Sequence, residues 1–191
     1  LSEMLNILEG FELNKIGHNS AEYLHILTES MRRGYADRAN YLGDPDFNED
    51  MPITKLLSKK HTQDLRKTID MTTKSESDPA LFAQIYESEE TTHFSVVDKE
   101  GNMVSLTYTL EFGYGSHIVV EGAGFLLNNE MGDFNEQPGV TNLSGEIGTP
   151  PNQIRPEQRM LSSMTPVIVA KKGVPLFATG SPFNFNEFKE K

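Results

Sequence analysis

A change of hydrophobic period near residue 90 constrains the fold of this chain more than any other feature. Before it the apolar residues follow a helical rhythm: between Asn19 and Asp44, Leu24, Leu27, Met31 and Tyr35 recur at three-and-four spacing. That pattern predicts one long helix, with Asn19 or Ser20 as its N-cap and Gly43 marking its end. A turn-rich link containing Pro45 follows, and Ile53 to Ile69 predicts two shorter helices, the second capped by Ser58 or Thr62. After residue 90 the period becomes two. Thr92 to Val97 and Met103 to Leu110 flank a tight Lys99–Asn102 turn, and Thr165 to Ala170 and Leu176 to Thr179 flank Lys172-Gly173, so two hairpins are expected. Gly113, Gly115, Gly122 and Gly124 bracket a further expected strand, and the apolar run Phe125 to Leu127 stops at two asparagines. Helices followed by antiparallel strands belong to the α+β class.

Composition narrows the functions open to such a fold. A net charge of -11 disfavours a phosphate-binding surface, so no nucleic-acid partner is expected. With no Cys, covalent catalysis must use oxygen or nitrogen, and thiolate metal sites are excluded. No apolar run approaches the roughly 20 residues of a membrane-spanning helix, and Leu1 is not followed by the pattern of a secretory leader. No His pair stands at ligand spacing and no Gly-rich phosphate loop precedes a helix, so neither metal nor organic cofactor is expected. His18, His25, His61, His93 and His117 are read as surface or structural residues.

The polar stretch Thr72 to Pro79 and the acidic run Glu87, Glu89 and Glu90 form a segment where proteolytic cutting is sterically easy. Immediately after it stands Thr91-Thr92-His93, at the start of the first expected strand. A threonine hydroxyl becomes a useful nucleophile when a base takes its proton, and an N-terminal threonine carries one in its own α-amine, with a reference pKa of about 8. An internal threonine lacks that base. Taken alone, Thr91 also fits an ordinary β-branched residue beginning a strand.

Several motifs in order decide between these readings. Gly34 to Phe47 (GYADRANYLGDPDF), Thr91-Thr92-His93, Leu127 to Phe134 (LNNEMGDF), Arg159 to Pro166 (RMLSSMTP) and Thr179 to Pro182 (TGSP) together resemble the γ-glutamyltranspeptidase family over nearly the whole chain. The resemblance implies an N-terminal-nucleophile hydrolase αββα sandwich, of which this chain supplies part. Residues 1–90 would be the C-terminal part of the large subunit and 91–191 the N-terminal part of the small one. It implies self-cleavage between Glu90 and Thr91, with Thr91 as both the cleavage and the catalytic nucleophile and Thr109 orienting it. Glu130 and Asp133 would hold the substrate's α-ammonium, a role suited to charge-assisted hydrogen bonds. Ser162 and Ser163 would hold its α-carboxylate. The implied activity is γ-glutamyl transfer and hydrolysis of glutathione-like γ-glutamyl amides, with water, an amino acid or a peptide as acceptor. The rest of both subunits would be partners, and the setting periplasmic, secreted or cell-surface.

Two positions depart from the family pattern. Glu111 stands where many members have an Asn that touches the bound glutamyl group, and it resembles a Gram-positive branch, some of whose members act on poly-γ-glutamate. Phe183 and Asn184 stand where two glycines form the oxyanion hole, and one lost donor there typically costs about a hundredfold in rate. The alternatives are therefore a poly-γ-glutamate depolymerase, another acylase of the same fold, or a truncated inactive member. Because family precursors run beyond both ends, the chain as given is expected to be neither fully folded nor an efficient enzyme.

Overall fold

The computed structural model describes residues 1–76, 91–134 and 150–181. Glu90, Phe183 and Asn184 lie outside the described residues. The chain forms two compact units, Leu1–Gln84 with Gln137–Leu161, and Ile85–Glu136 with Ser162–Lys191.

The first unit is helical. Its elements are α1 (Ser2–Leu8), α2 (Ala21–Tyr41), α3 (Ile53–Leu56) and α4 (Lys59–Lys67), with α1 packed against both α2 and α4. The expected caps are there: the Ser20 hydroxyl accepts from Tyr23 N at 3.2 Å and the Ser58 hydroxyl from His61 N at 3.2 Å. Helix α2 ends at Tyr41, two residues before Gly43. Its buried line, however, is offset from the apolar one. Ile26, Glu29, Ser30 and Gly34 are buried, whereas Leu24 is 46% exposed. The polar members of that line are tolerated because each is bonded internally; Ser30 Oγ donates to Ile26 O at 2.7 Å, one turn back. Ile7 and Ile26 are fully buried, each contributing about 1.5–3 kcal/mol of apolar burial.

Long-range polar contacts close the unit. Arg66 of α4 donates to Ile7 O and Asn6 O, both at 2.8 Å, satisfying carbonyls at the C-terminal end of α1. A Cβ on Gly10 would fall on that guanidinium, 1.7 Å from Arg66 Cζ, so this position must stay bare unless Arg66 moves. The segment around Arg159 is tied to the link after α2. Buried Asp44 accepts from Arg159 N at 2.7 Å, Nε at 3.0 Å and Nη2 at 2.6 Å, and this guanidinium holds its carboxyl well below the usual carboxylate range.

Glu29 is the most deeply buried carboxylate among the described residues of the unit. It is 1% exposed, and its carboxylate accepts from Arg33 Nη1 at 2.6 Å, from Ser75 N at 2.9 Å and from the Ser75 hydroxyl. Burial raises its pKa, but the hydrogen bonds from Ser75 and Arg33 outweigh burial and hold it at about 2. Arg33 in turn donates to Leu65 O, Thr68 O and the Thr68 hydroxyl, so this pair fastens the end of α4 and Ser75 to α2. Glu29→Gln removes the charge that Arg33 faces and is expected to lower stability by about 3 kcal/mol in chemical denaturation. Because the folded pKa lies below the ordinary 4.5, the contribution is complete above pH 4.5 and is lost as pH falls toward 2. The wild-type stability should therefore fall across that window more steeply than that of the variant.

The second unit is strand-rich: β1 (Thr92–Val97) pairs antiparallel with β2 (Met103–Tyr108), and β3 (Val167–Lys171) with β4 (Val174–Thr179). Both expected hairpins are found. In the first turn Gly101 has φ +85 and Asn102 N donates to Asp98 Oδ1 at 2.8 Å, the left-handed turn chemistry that the sequence specified. The strand expected between the glycines of 113–124 is reduced to a single bridge, Val119 to Leu126. Positive φ at Glu111, Tyr114 and His117 breaks the extended run before that bridge. Among the described residues no helix is long and apolar enough to cross a membrane.

Candidate active site

The site is built outward from the first hairpin. Its register pairs Thr92 with Tyr108, so Thr91 and Thr109 stand opposite each other one step beyond the ladder. Side chains alternate along a strand. Thr91, His93 and Ser95 therefore share one face with Thr109, Thr107 and Ser105, while Phe94, Val96, Val104 and Leu106 share the other. The hydroxyl face is the more sheltered of the two. His93 joins it together, with Nδ1 2.9 Å from Thr107 Oγ1 and Nε2 3.1 Å from Ser95 Oγ. Ser105 Oγ donates to Thr179 O at 2.8 Å, and the His93 ring lies so close to Gly180 that a Cβ there would be 2.2 Å from Cε1. These contacts seat the second hairpin on the hydroxyl face.

Beyond Thr109 the backbone turns sharply. Thr109 Oγ1 accepts from Glu111 N at 3.0 Å, and Glu111 itself sits at φ 75, a left-handed conformation uncommon for a residue with a Cβ. That turn is braced by the segment that ends in two asparagines. Asn129 N donates to Leu110 O at 3.1 Å, Phe112 N to Asn129 Oδ1 at 3.2 Å, and Glu130 N to Asn128 Oδ1 at 3.1 Å. The bracing brings the short 3-10 helix Glu130–Phe134 against Glu111.

Three carboxylates therefore converge. Glu111 Oε1 lies 2.3 Å from where a Cβ on residue 132 would stand, so Gly132 is what admits the Glu111 side chain. Burial, then the charges of Asp133 and Glu130, push the Glu111 carboxyl up; burial and then Asp133 do the same for Glu130. Glu130 Oε1 is buried with no hydrogen-bond donor among the described residues. An acceptor left without a donor, in a site of concentrated negative charge, is suited to an ammonium group.

Ser162 and Ser163 lie exposed in the segment leading into β3, in the same unit. The Ser162 hydroxyl accepts from Met164 N at 3.2 Å. The structure thus brings together Thr109, Glu111, Glu130 and Asp133, with Thr91 opposite Thr109. Sequence reasoning gave Gly132 no role, since its importance is spatial; His93, read as surface or structural, bonds to Thr107 and Ser95. The Asx turn at Asn128 carried a readable local signal.

The sequence profile described as Gamma-glutamyltranspeptidase matches residues 1–182. The glutathione hydrolase proenzyme of Escherichia coli K12 is 45% identical over 183 residues, covering 94% of this chain and 31% of that protein. The glutathione hydrolase proenzyme of Pseudomonas aeruginosa is 43% identical over 187 residues, covering 95% of this chain and 32% of that protein. A solved γ-glutamyltranspeptidase of Pseudomonas nitroreducens, complexed with L-DON, shares 58% identity across 44% of each chain, with a TM-score of 0.37. The chain belongs to the γ-glutamyltranspeptidase family. It spans about a third of the length of the curated relatives it matches.

Proposed function

We propose that the protein containing this chain is a γ-glutamyltransferase and γ-glutamyl hydrolase, activated by scission of the Glu90–Thr91 bond. The observation that carries the proposal is the carboxylate cluster of Glu111, Glu130 and Asp133, joined through the Glu111 N–H to the hydroxyl opposite Thr91. An α-ammonium held there leaves the rest of a glutamyl group to extend toward the strand end. Ser162 and Ser163 are assigned to its α-carboxylate.

The chemistry follows from an N-terminal threonine. In the precursor the Thr91 hydroxyl attacks the Glu90 carbonyl, the amide nitrogen becomes the free α-amine, and water opens the resulting ester. In the mature protein that amine takes the hydroxyl proton as Thr91 Oγ1 adds to the substrate γ-carbonyl. The proton passes to the leaving amine, and a γ-glutamyl ester remains on Thr91. Water completes hydrolysis; the amine of an amino acid or peptide completes transfer. The hydroxyl of Thr109 can donate toward Thr91 while its oxygen accepts from Glu111 N. The oxyanion donors are assigned by position to residues 183 and 184. Glutathione-like amides, the remainder of both subunits as partners and an exported location complete the proposal.

Glu111 favours a second reading, in which the substrate is poly-γ-glutamate. Initial rates of the full-length protein on a short γ-glutamyl anilide and on the polymer separate the two. The first reading predicts faster turnover of the anilide per γ-glutamyl bond; the reverse order supports the second, and no turnover of either opposes both.

A further inference from the structure

Helices α1, α2 and α4 of the first unit each send one ionisable side chain to a common point. Glu3 comes from α1, Asp37 from α2 and His61 from α4. His61 Nε2 is 2.6 Å from Asp37 Oδ2 and 3.8 Å from Glu3 Oε1, and one donor atom of each residue lies within 4.8 Å of the others. Nothing in their spacing along the chain announces this, because the set is assembled by helix packing.

The cluster is sheltered and incompletely satisfied. Glu3 is 9% exposed, and the side chains of Asp37 and His61 are 14% and 15% exposed. Among the described residues Glu3 Oε1 is buried with no hydrogen-bond donor, and it lies 3.8 Å from the imidazole Nε2. Two carboxyl groups and one imidazole, with one oxygen lacking a donor among the described residues, form a donor set for a cation.

We propose that Glu3, Asp37 and His61 form a structural binding site for a divalent transition-metal ion, zinc being the best fit, that fastens α1, α2 and α4 together. One imidazole nitrogen and two carboxylate oxygens match a zinc donor set, whereas the imidazole disfavours magnesium and calcium. Ligand atoms around tetrahedral zinc lie about 3.4 Å apart at bond lengths of about 2.1 Å. The observed 2.6 and 3.8 Å bracket that separation, so small side-chain rotations complete the geometry. The ion would replace the proton now between His61 and Asp37, and a water would take the fourth position. The role is structural, since the three ligands come from three helices of one unit.

The test uses the full-length protein, stripped with a chelator, and zinc chloride as the probe. Metal content is read by mass spectrometry and thermal stability by scanning fluorimetry, for the wild type and for Glu3→Gln and His61→Gln. The expected result is one more zinc per chain in the wild type than in Glu3→Gln, with a zinc-dependent rise in Tm that both variants lose. If His61→Gln fails to fold, Glu3→Gln decides alone, because glutamine keeps the shape of the side chain. Equal zinc content in wild type and Glu3→Gln, or no zinc in a folded wild type, overturns the proposal.

Discussion

Thr91→Ala in the full-length protein is expected to leave a single uncut chain and to lower γ-glutamyl turnover by at least about 10⁴-fold. The variant removes one hydroxyl, and that hydroxyl is asked to do two jobs: open the Glu90–Thr91 bond and carry the acyl group. Stability should change little, because Thr91 lies beyond the last paired residues of the first hairpin and contributes no bond to its ladder. Thr91→Ser, which keeps an oxygen nucleophile, should retain both reactions at reduced rate. A mature protein assembled from two separately expressed subunits, with Ala at the first position of the small one, separates the jobs. It should fold as the cut wild type does and still fail to turn over substrate. Intact mass and initial rates of anilide hydrolysis are the measurements.

The second large effect is expected at the carboxylate cluster. Glu130→Gln should lower kcat/KM for γ-glutamyl substrates by about 10- to 100-fold, the usual worth of a hydrogen bond to a charged partner. Most of that loss should be in KM. Two further consequences follow from the burial and like charges that raise Glu111 and Glu130. Removing the Glu130 charge relieves Glu111, whose pKa should fall toward 4.5. In the wild type, protonation of the cluster removes its hold on the ammonium, so KM should begin to rise at a pH above 4.5 as acid is added. The sign is opposite for folding. A carboxyl raised in the folded state costs stability as pH increases through its pKa, and a bound ammonium offsets that cost. Substrate protection against heat should therefore be larger at neutral pH than in acid. A pH profile of KM flat down to the ordinary carboxylate range would exclude these groups from the ammonium site.

Much of this architecture was legible in the chain because its signals are local. Ser20 and Ser58 cap helices by reaching three residues ahead, and Gly101 and Gly173 take positive φ in turns that flanking alternation already framed. The strand expected among the glycines of 113–124 failed for a local reason as well, since left-handed residues interrupt it. What could not be read was set by packing at long range. The buried line of α2 contains Glu29 because Arg33 and Ser75 complete it, and no periodicity announces a satisfied carboxylate. Leu24 obeys the helical period yet stays half exposed.

The candidate site divides in the same way. Thr91 and the acidic pair were found through motifs, and their roles came from the family those motifs resemble. The place of Thr109 opposite Thr91 follows from hairpin register, which a tight turn of known length makes predictable. Gly132 carries no charge and no hydroxyl, so its part in admitting the Glu111 carboxylate emerges only when the two segments are set against each other. The Glu3, Asp37 and His61 cluster is the extreme case, with three residues from three helices and no motif that joins them.

N-terminal sequencing of the smaller fragment from the purified full-length wild type tests the role of Thr91 most directly. The expected result is a fragment that begins Thr-Thr-His-Phe, at residue 91. A catalytically active protein that remains one uncut chain, or whose fragment begins at any other residue, would contradict it.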